Sequence, residues 1–537
     1  MTRDVLLVAS GDLRETANRL GWPAQAELER NVSAAFGRHG AVVRRAHPVD
    51  ESRGHGFISS QRMGMRIFEE IDRDAPLVVA EAVWQYSHHV LAGLRRHRGP
   101  ILTVANWSGE WPGLVGMLNI NASLTKMGRP YSTIWGEDLT DPFADAAIAR
   151  WLDEGTVEHD SSHVRDLDGA RLPAAASALG RRLAGELGQR MAIVGVFDEG
   201  CMGMYNAIFD DEHLNPSGIY KERLSQSALV AEMRRVTTSE ARAALGWLTG
   251  RGMEFRLGSD GATELTEDQV LDQLRLYIAA TRIADQFGCD AIGIQYQQGL
   301  KDMAPASDLA EGLLNDGDRP PVFAIDDARR ELYPGRPVVH FNEVDEGSAV
   351  DALVTNRVWT ALGLDPATTL HDVRWGAQYG DDFVWVFEIS GAVPPAHLVG
   401  GYAGAVSERQ PPVYFGLGGG TIKGVSRPGE IVWSRVFLMD GRLHADLGRA
   451  TVVELPREET ERRWQATTPQ WPIMHAVLHG VTRDQMMARH KANHIQVAYG
   501  SDGEGGGASA DEALAAKAAM FDAMGIAVHL CGTVPVG

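Results

Sequence analysis

Three short segments of the chain carry side chains whose types could do chemistry. The first is His340-Phe341-Asn342-Glu343-Val344-Asp345-Glu346-Gly347-Ser348, a cluster of carboxylates just after an apolar run and at the mouth of a helical stretch, Ala349–Leu362. A helix N-terminus attracts acidic side chains through its dipole alone, so simple capping explains them as readily as catalysis does. The second is Leu370-His371-Asp372-Val373-Arg374-Trp375, where an acid at the end of a short apolar run serves as a ligand or as a turn. The third is His490-Lys491-Ala492-Asn493-His494. Histidines at i and i+4 share a helix face, as in HExxH metalloproteases, but Lys491 replaces the glutamate that such a protease needs. One histidine as metal ligand and one as bystander is the expectation. The run Gly416-Leu417-Gly418-Gly419-Gly420-Thr421-Ile422-Lys423 lacks the GxxxxGK[ST] spacing of a phosphate loop and reads as a tight turn between strands.

A large scaffold must position these residues. The 537 residues imply two to four domains. Residues 1–135 alternate short apolar runs (Val5–Ala9, Ala41–Arg45, Leu77–Ala80, Ile101–Ala105, Tyr131–Trp135) with helical patterns such as Pro23–Phe36 and Gln61–Ile71. That alternation predicts a mostly parallel, doubly wound sheet. The first strand ends in Ala9-Ser10-Gly11-Asp12, which is no dinucleotide fingerprint. A helix near Leu172–Leu187, a strand at Met191–Phe197, a long helix at Glu267–Phe287 and a strand at Ala291–Gln295 predict a second α/β unit. After about residue 380, short strands dominate (Phe383–Ile389, Val413–Phe415, Glu430–Phe437, Ala450–Leu455), and a glycine-rich loop at Gly503–Gly507 precedes a last helix at Asp511–Met524. The expected fold is α/β: two doubly wound, Rossmann-like domains (1–170 and 171–350) and a β-rich C-terminal domain (351–537).

Composition removes several classes. With 71 acidic and 51 basic residues the net charge is -20, so a phosphate backbone would be repelled and nucleic acid is not an expected partner. The three cysteines are far apart and form no CxxC, as in a reducing compartment. No window of 18 apolar residues occurs, so no membrane span is expected and the cytoplasm is the expected location.

Taken in order, the segments resemble the L-fucose isomerase family from near the start of the chain to near its end. Gly293-Ile294-Gln295-Tyr296-Gln297 through Asp302, Pro305, Asp308 and Ala310-Glu311-Gly312-Leu313-Leu314-Asn315 is similar, without a gap, to that family's GFQGQR…D…P..D..EA.LN pattern. Asn342-Glu343-Val344-Asp345 resembles its TEND segment, His371-Asp372-Val373-Arg374 its ADVR, Ile389-Ser390-Gly391 its NSG, Trp471-Pro472 its TWP and Ala492-Asn493-His494 its GANH. Earlier, Trp84-Gln85-Tyr86, Gly109-Glu110-Trp111-Pro112-Gly113 and Met202-Gly203-Met204 resemble WCY, GTERPG and MGI.

The resemblance implies a Mn²⁺ ion, or another divalent cation, held by Glu343, Asp372 and His494. It implies Glu343 and Asp372 as the acid–base pair of an aldose–ketose isomerisation through an enediolate. Gln295, Ser390, Trp471, Asn493, Trp84 and Tyr414 would contact a small sugar or surround the ligands. It also implies a homo-oligomer, a hexamer, in which Trp84 completes a neighbouring subunit's site. Epimerisation or retro-aldol cleavage begins with the same enediolate and stays open, as does a non-catalytic sugar-binding protein. The stretch Ile325–Arg336 has no counterpart in the family, the tryptophan expected before Ala492-Asn493-His494 is absent, and only 43 residues follow His494.

Overall fold

A computed structural model describes residues 3–167, 172–326, 329–500 and 508–533. The glycine-rich loop Gly503–Gly507 lies outside the described residues. The first five strands, β1 (Arg3–Val8), β2 (Ala41–Arg45), β3 (Leu77–Glu81), β4 (Ile101–Asn106) and β5 (Ser132–Gly136), form an all-parallel sheet in the order β2-β1-β3-β4-β5. Helices connect them, as parallel neighbours require. The first helix starts earlier than the apolar pattern suggested, at Glu15, and carries Pro23 within its span.

A short strand β6 (Val164–Asp166) follows, then β7 (Ala192–Phe197) and β8 (Ile219–Leu224). The minor strand β9 (Glu254–Phe255) comes next, then β10 (Ala291–Ile294) and β11 (Val339–His340). Here β11-β10-β7-β8 make a second parallel sheet. The helix before β10, Glu267–Phe287, is fixed at both ends: Thr266 and Gln269 form a reciprocal capping box, and Gly288 closes it in the left-handed conformation.

The β-rich part consists of β12 (Thr369–Tyr379), β13 (Asp382–Glu388), the minor β14 (Val406–Ser407), β15 (Gly429–Met439), β16 (Arg442–Val452), β17 (Ile473–Leu478), β18 (His494–Tyr499) and β19 (Ala527–Cys531). Because β15 pairs with both β18 and β16, the ring β15-β18-β12-β13-β17-β16 closes into an antiparallel barrel, and closure leaves no free edge among these strands. Asp440-Gly441, both at positive φ, turn β15 into β16 as the type I′ hairpin that this dipeptide favours. Strand β19 pairs parallel to β16, and β6 pairs with β19, so residues 164–166 belong to this sheet and not to the first. Val413–Phe415, expected as a strand, is a turn: Tyr414 and Phe415 donate their backbone N–H groups to the Pro411 carbonyl.

Shared cores hold the three parts together. Trp107, Leu114, Met117, Leu118 and Trp135 of the first α/β part pack in one cluster with Trp385, Phe387, Trp433, Met474, Ile495 and Val497 of the barrel. The Trp107 indole donates to the Gly376 carbonyl at 2.9 Å. A second cluster joins Trp84 and Tyr86 to Val194 and Val196 of β7 and to Val350 and Val354 of the helix Glu346–Leu362. Among the described residues no helix is long and apolar enough to cross a membrane.

Candidate metal centre and sugar pocket

The carboxylate Glu343 follows β11 directly, in a tight turn at Asn342–Val344. Its φ is 57° and that of Val344 is 54°, left-handed values that a non-glycine residue adopts at a cost of order 1–3 kcal/mol. The helix behind it is capped by Asp345, whose carboxylate accepts the Ser348 N–H at 3.1 Å. Capping is thus the task of Asp345, and Glu343 is left free of it.

Asp372 lies inside β12 and not at the end of a run. It stands directly opposite His494 of β18 on one side and Glu388 of β13 on the other. The helix near the third segment stops at Arg489, and His494 opens β18. His490 and His494 therefore share no helix face, which corrects the periodicity reading. His490 follows the end of the helix, with its Nε2 2.8 Å from the His494 carbonyl oxygen.

The strand pairing and the turn bring the three groups together. Nε2 of His494 lies 3.6 Å from a Glu343 carboxylate oxygen and 3.6 Å from an Asp372 oxygen. Its Nδ1 lies 2.8 Å from Asp345 Oδ2. A carboxylate so placed only accepts, so Nδ1 carries the hydrogen and Nε2 faces the two acids. Asp345 is itself held by Arg435 at 2.7 Å, both fully buried.

The electrostatics follow from burial. Burial pushes the Glu343 carboxyl up to about 7, opposed by His494 and reinforced by Asp372. Burial also raises Asp372, against the pull of His494 and Arg374 and the Asn493 amide that donates to it. Burial works against a charged His494, yet the hydrogen bond to Asp345 and the charges of Asp372, Asp345 and Glu343 outweigh it and raise its pKa. Asp345 is buried too, but Arg435 and His494 hold it well below the usual carboxylate range.

Glu343 and Asp372 border a cavity with about 490 Å³ of atom-free space, part of it open to solvent, whereas the buried His494 and Asp345 do not line it. Trp84, Glu343, Asp372, Ser390, Tyr414, Trp471 and Asn493 line it, seven of the residues singled out from the sequence. Gln295 does not line it. That side chain is fully buried, with both amide atoms unpartnered, while Gln297 two residues on reaches the cavity. Trp84 lines the cavity of its own chain.

Arg14, Pro112, Met202, Gln297 and Phe415 complete the wall; Pro112, Met202 and Gln297 stand in segments quoted above for their resemblance, and none of the five was expected as a site residue. Arg14 is held at 2.9 and 2.6 Å by the two oxygens of Asp12. It donates to Gln297 at 2.8 Å and lies 4.7 Å from the centre of the Tyr414 ring. The signal that could have revealed it is position: residues just past the C-terminal end of the first strand are where a parallel sheet presents ligands.

No protein-family model and no curated protein matches this chain.

A divalent cation fits the donor set on chemical grounds. Two half-buried carboxylates on the cavity wall disfavour their own charge, and an imidazole nitrogen faces both. Oxygen-rich sets with one imidazole suit Mn²⁺ better than zinc, and a histidine whose other nitrogen is held by a carboxylate is the usual support of a metal ligand. Among the described residues, the group whose ligand atoms all lie within 4.8 Å of one another is a different one, Asp210, Glu212 and His213, and both of its acids are exposed.

Met202, at φ 47°, and Trp84 reach the cavity from different parts of the chain. They are joined at Gly203, whose carbonyl accepts the Ser87 N–H at 3.0 Å and the Ser87 hydroxyl at 2.5 Å. Gly203 has φ +79°, and an added Cβ would come within 2.4 Å of the Tyr86 ring. Gly203→Ala should cost about 1–3 kcal/mol by strain and overpacking. Urea unfolding checks this: an unchanged midpoint would show that the junction yields freely.

Proposed function

We propose that the protein is a divalent-metal-dependent aldose–ketose isomerase acting on a free sugar of the L-fucose or D-arabinose kind. The observation that carries this reading is the convergence of Glu343, Asp372 and His494 from a turn and two barrel strands, with His494 Nδ1 held by Asp345. The ordered resemblance of the surrounding segments to L-fucose isomerases supports it.

When bound, a cation there would polarise two neighbouring sugar oxygens and stabilise charge that develops on them. The chain's own residues do the rest. Glu343 and Asp372 border the same cavity, so one can take the proton from C2 of the open-chain aldose and return it to C1, while the other gives a proton to the C1 oxygen and takes one from the C2 hydroxyl, which leaves the ketose. Asn493, donating to Asp372 Oδ1 at 3.3 Å, fixes that carboxylate. Trp84, Pro112, Met202, Tyr414, Phe415 and Trp471 give the cavity apolar walls that exclude water from the reacting carbons.

The substrate carries no phosphate in this reading. Arg14 is the one cationic side chain among the described lining residues, and Asp12 already neutralises it. A homo-oligomer in the cytoplasm, hexameric as in the resembling family, completes the proposal. The buried free thiols of Cys289 and Cys531 accord with a reducing compartment.

The test is a turnover assay of purified protein with Mn²⁺ and a panel of aldoses and aldose phosphates. Ketose should form from a free pentose or 6-deoxyhexose, stop on chelation and return with Mn²⁺. No turnover of any aldose, or a marked preference for a phosphorylated one, would contradict the proposal.

A further inference from the structure

Two cavity-lining residues, Ser390 and Trp471, come from segments 81 positions apart, yet a single buried chain of hydrogen bonds ties them together. The Trp471 indole N–H donates to Gln410 Oε1 at 2.7 Å. Gln410 Nε2 donates to Asp308 Oδ2 at 2.9 Å and also to the Ser390 carbonyl. The Ser390 hydroxyl donates to Asp308 Oδ1 at 2.5 Å. Gln410 is fully buried and Asp308 nearly so. The amide orientation is set by chemistry: an indole nitrogen only donates and the Ser390 carbonyl only accepts, so the Gln410 oxygen must face Trp471 and its nitrogen must face the Ser390 carbonyl and Asp308.

We propose that Gln410, acting with Asp308, is a positioning residue that sets what the pocket recognises; the inference rests on the sugar-isomerase reading. While Asp308 is ionised, the Ser390 hydroxyl commits its proton to it and offers the cavity an acceptor. With its N–H committed to Gln410, Trp471 offers an apolar ring face and no donor. The pair therefore selects a polyol that presents a donating hydroxyl to Ser390 and a carbon–hydrogen face to Trp471. A ligand with a carboxylate at the Ser390 position meets no donor there.

The exchange of amide and carboxylate tests it, on the aldose that the wild type turns over fastest. Gln410→Glu keeps the acceptor for Trp471 but sets a carboxylate against Asp308 and the Ser390 carbonyl. KM should rise at least ~10-fold, the scale of a lost hydrogen bond to a charged group, with kcat within about 3-fold and Mn²⁺ affinity unchanged. Adding Asp308→Asn to that variant restores a donor facing the new carboxylate and leaves only the Ser390 carbonyl against it, so KM should fall at least about 3-fold below that of the single variant. If Gln410→Glu fails to fold, Gln410→Met, which removes the bonds without adding charge, should give the same split between KM and kcat. Unchanged KM in the folded single variant, or a double variant no better than the single, would overturn the inference. A wild type that turns over no aldose would overturn the functional reading itself, and the inference with it.

Discussion

Glu343→Gln and Asp372→Asn should each lower turnover by at least ~10²-fold at saturating Mn²⁺, the usual scale of general acid–base catalysis. Each change keeps an oxygen donor beside His494 Nε2 and removes only the group that carries a proton. Neither residue caps a helix, since Asp345 does that, so both variants should fold and extra metal should not rescue them. His494→Ala should behave differently: its loss falls on metal affinity, and excess Mn²⁺ should restore part of the turnover. Metal content and turnover measured on the three folded variants decide the matter. Near-normal turnover by either carboxamide variant at saturating metal would remove that residue from the mechanism.

The second large effect belongs to Asp345, which no catalytic step uses. Its carboxylate is shared by Arg435 at 2.7 Å and His494 at 2.8 Å, with all three side chains buried. Asp345→Ala leaves the Arg435 guanidinium buried without its counter-charge, a loss of about 3–5 kcal/mol. It also frees the His494 ring, which should weaken Mn²⁺ binding by about 10- to 100-fold. The pH dependence has a definite sign. Arg435 and His494 depress the folded-state pKa of Asp345, so its contribution is present above the ordinary carboxylate pKa and is lost as pH falls below it. The wild type should therefore lose stability on acidification through that range, and Asp345→Ala should lose less. Equal acid sensitivity of the two proteins in urea unfolding would refute this.

The strands of the first sheet were legible because buried parallel strands are short continuous apolar runs; Ala41–Arg45 falls on its observed bounds and the others within a residue or two. The β-rich texture of the C-terminal part was legible too, but barrel closure was not, because it depends on β15 pairing with two partners at once. The membership of Val164–Asp166 in that barrel's sheet is likewise a long-range pairing that three residues cannot announce. At the site, residue types and order singled out Glu343, Asp372 and His494, and the fold places both acids 3.6 Å from His494 Nε2. Asp345 did not stand out, since a capping acid and an acid that orients a histidine look alike in sequence. His490 misled through its spacing: the i,i+4 pattern presumes a helix, and the chain leaves the helix at Arg489.

The central claim is that Glu343, Asp372 and His494 hold one divalent ion, and calorimetric titration of Mn²⁺ into the wild type and the Glu343→Ala/Asp372→Ala/His494→Ala variant tests it most directly. The account predicts one ion per chain for the wild type and none at this affinity for the folded triple variant. Equal binding by both proteins would place the metal elsewhere, with the exposed Asp210, Glu212 and His213 group as the alternative to examine, and would contradict the account.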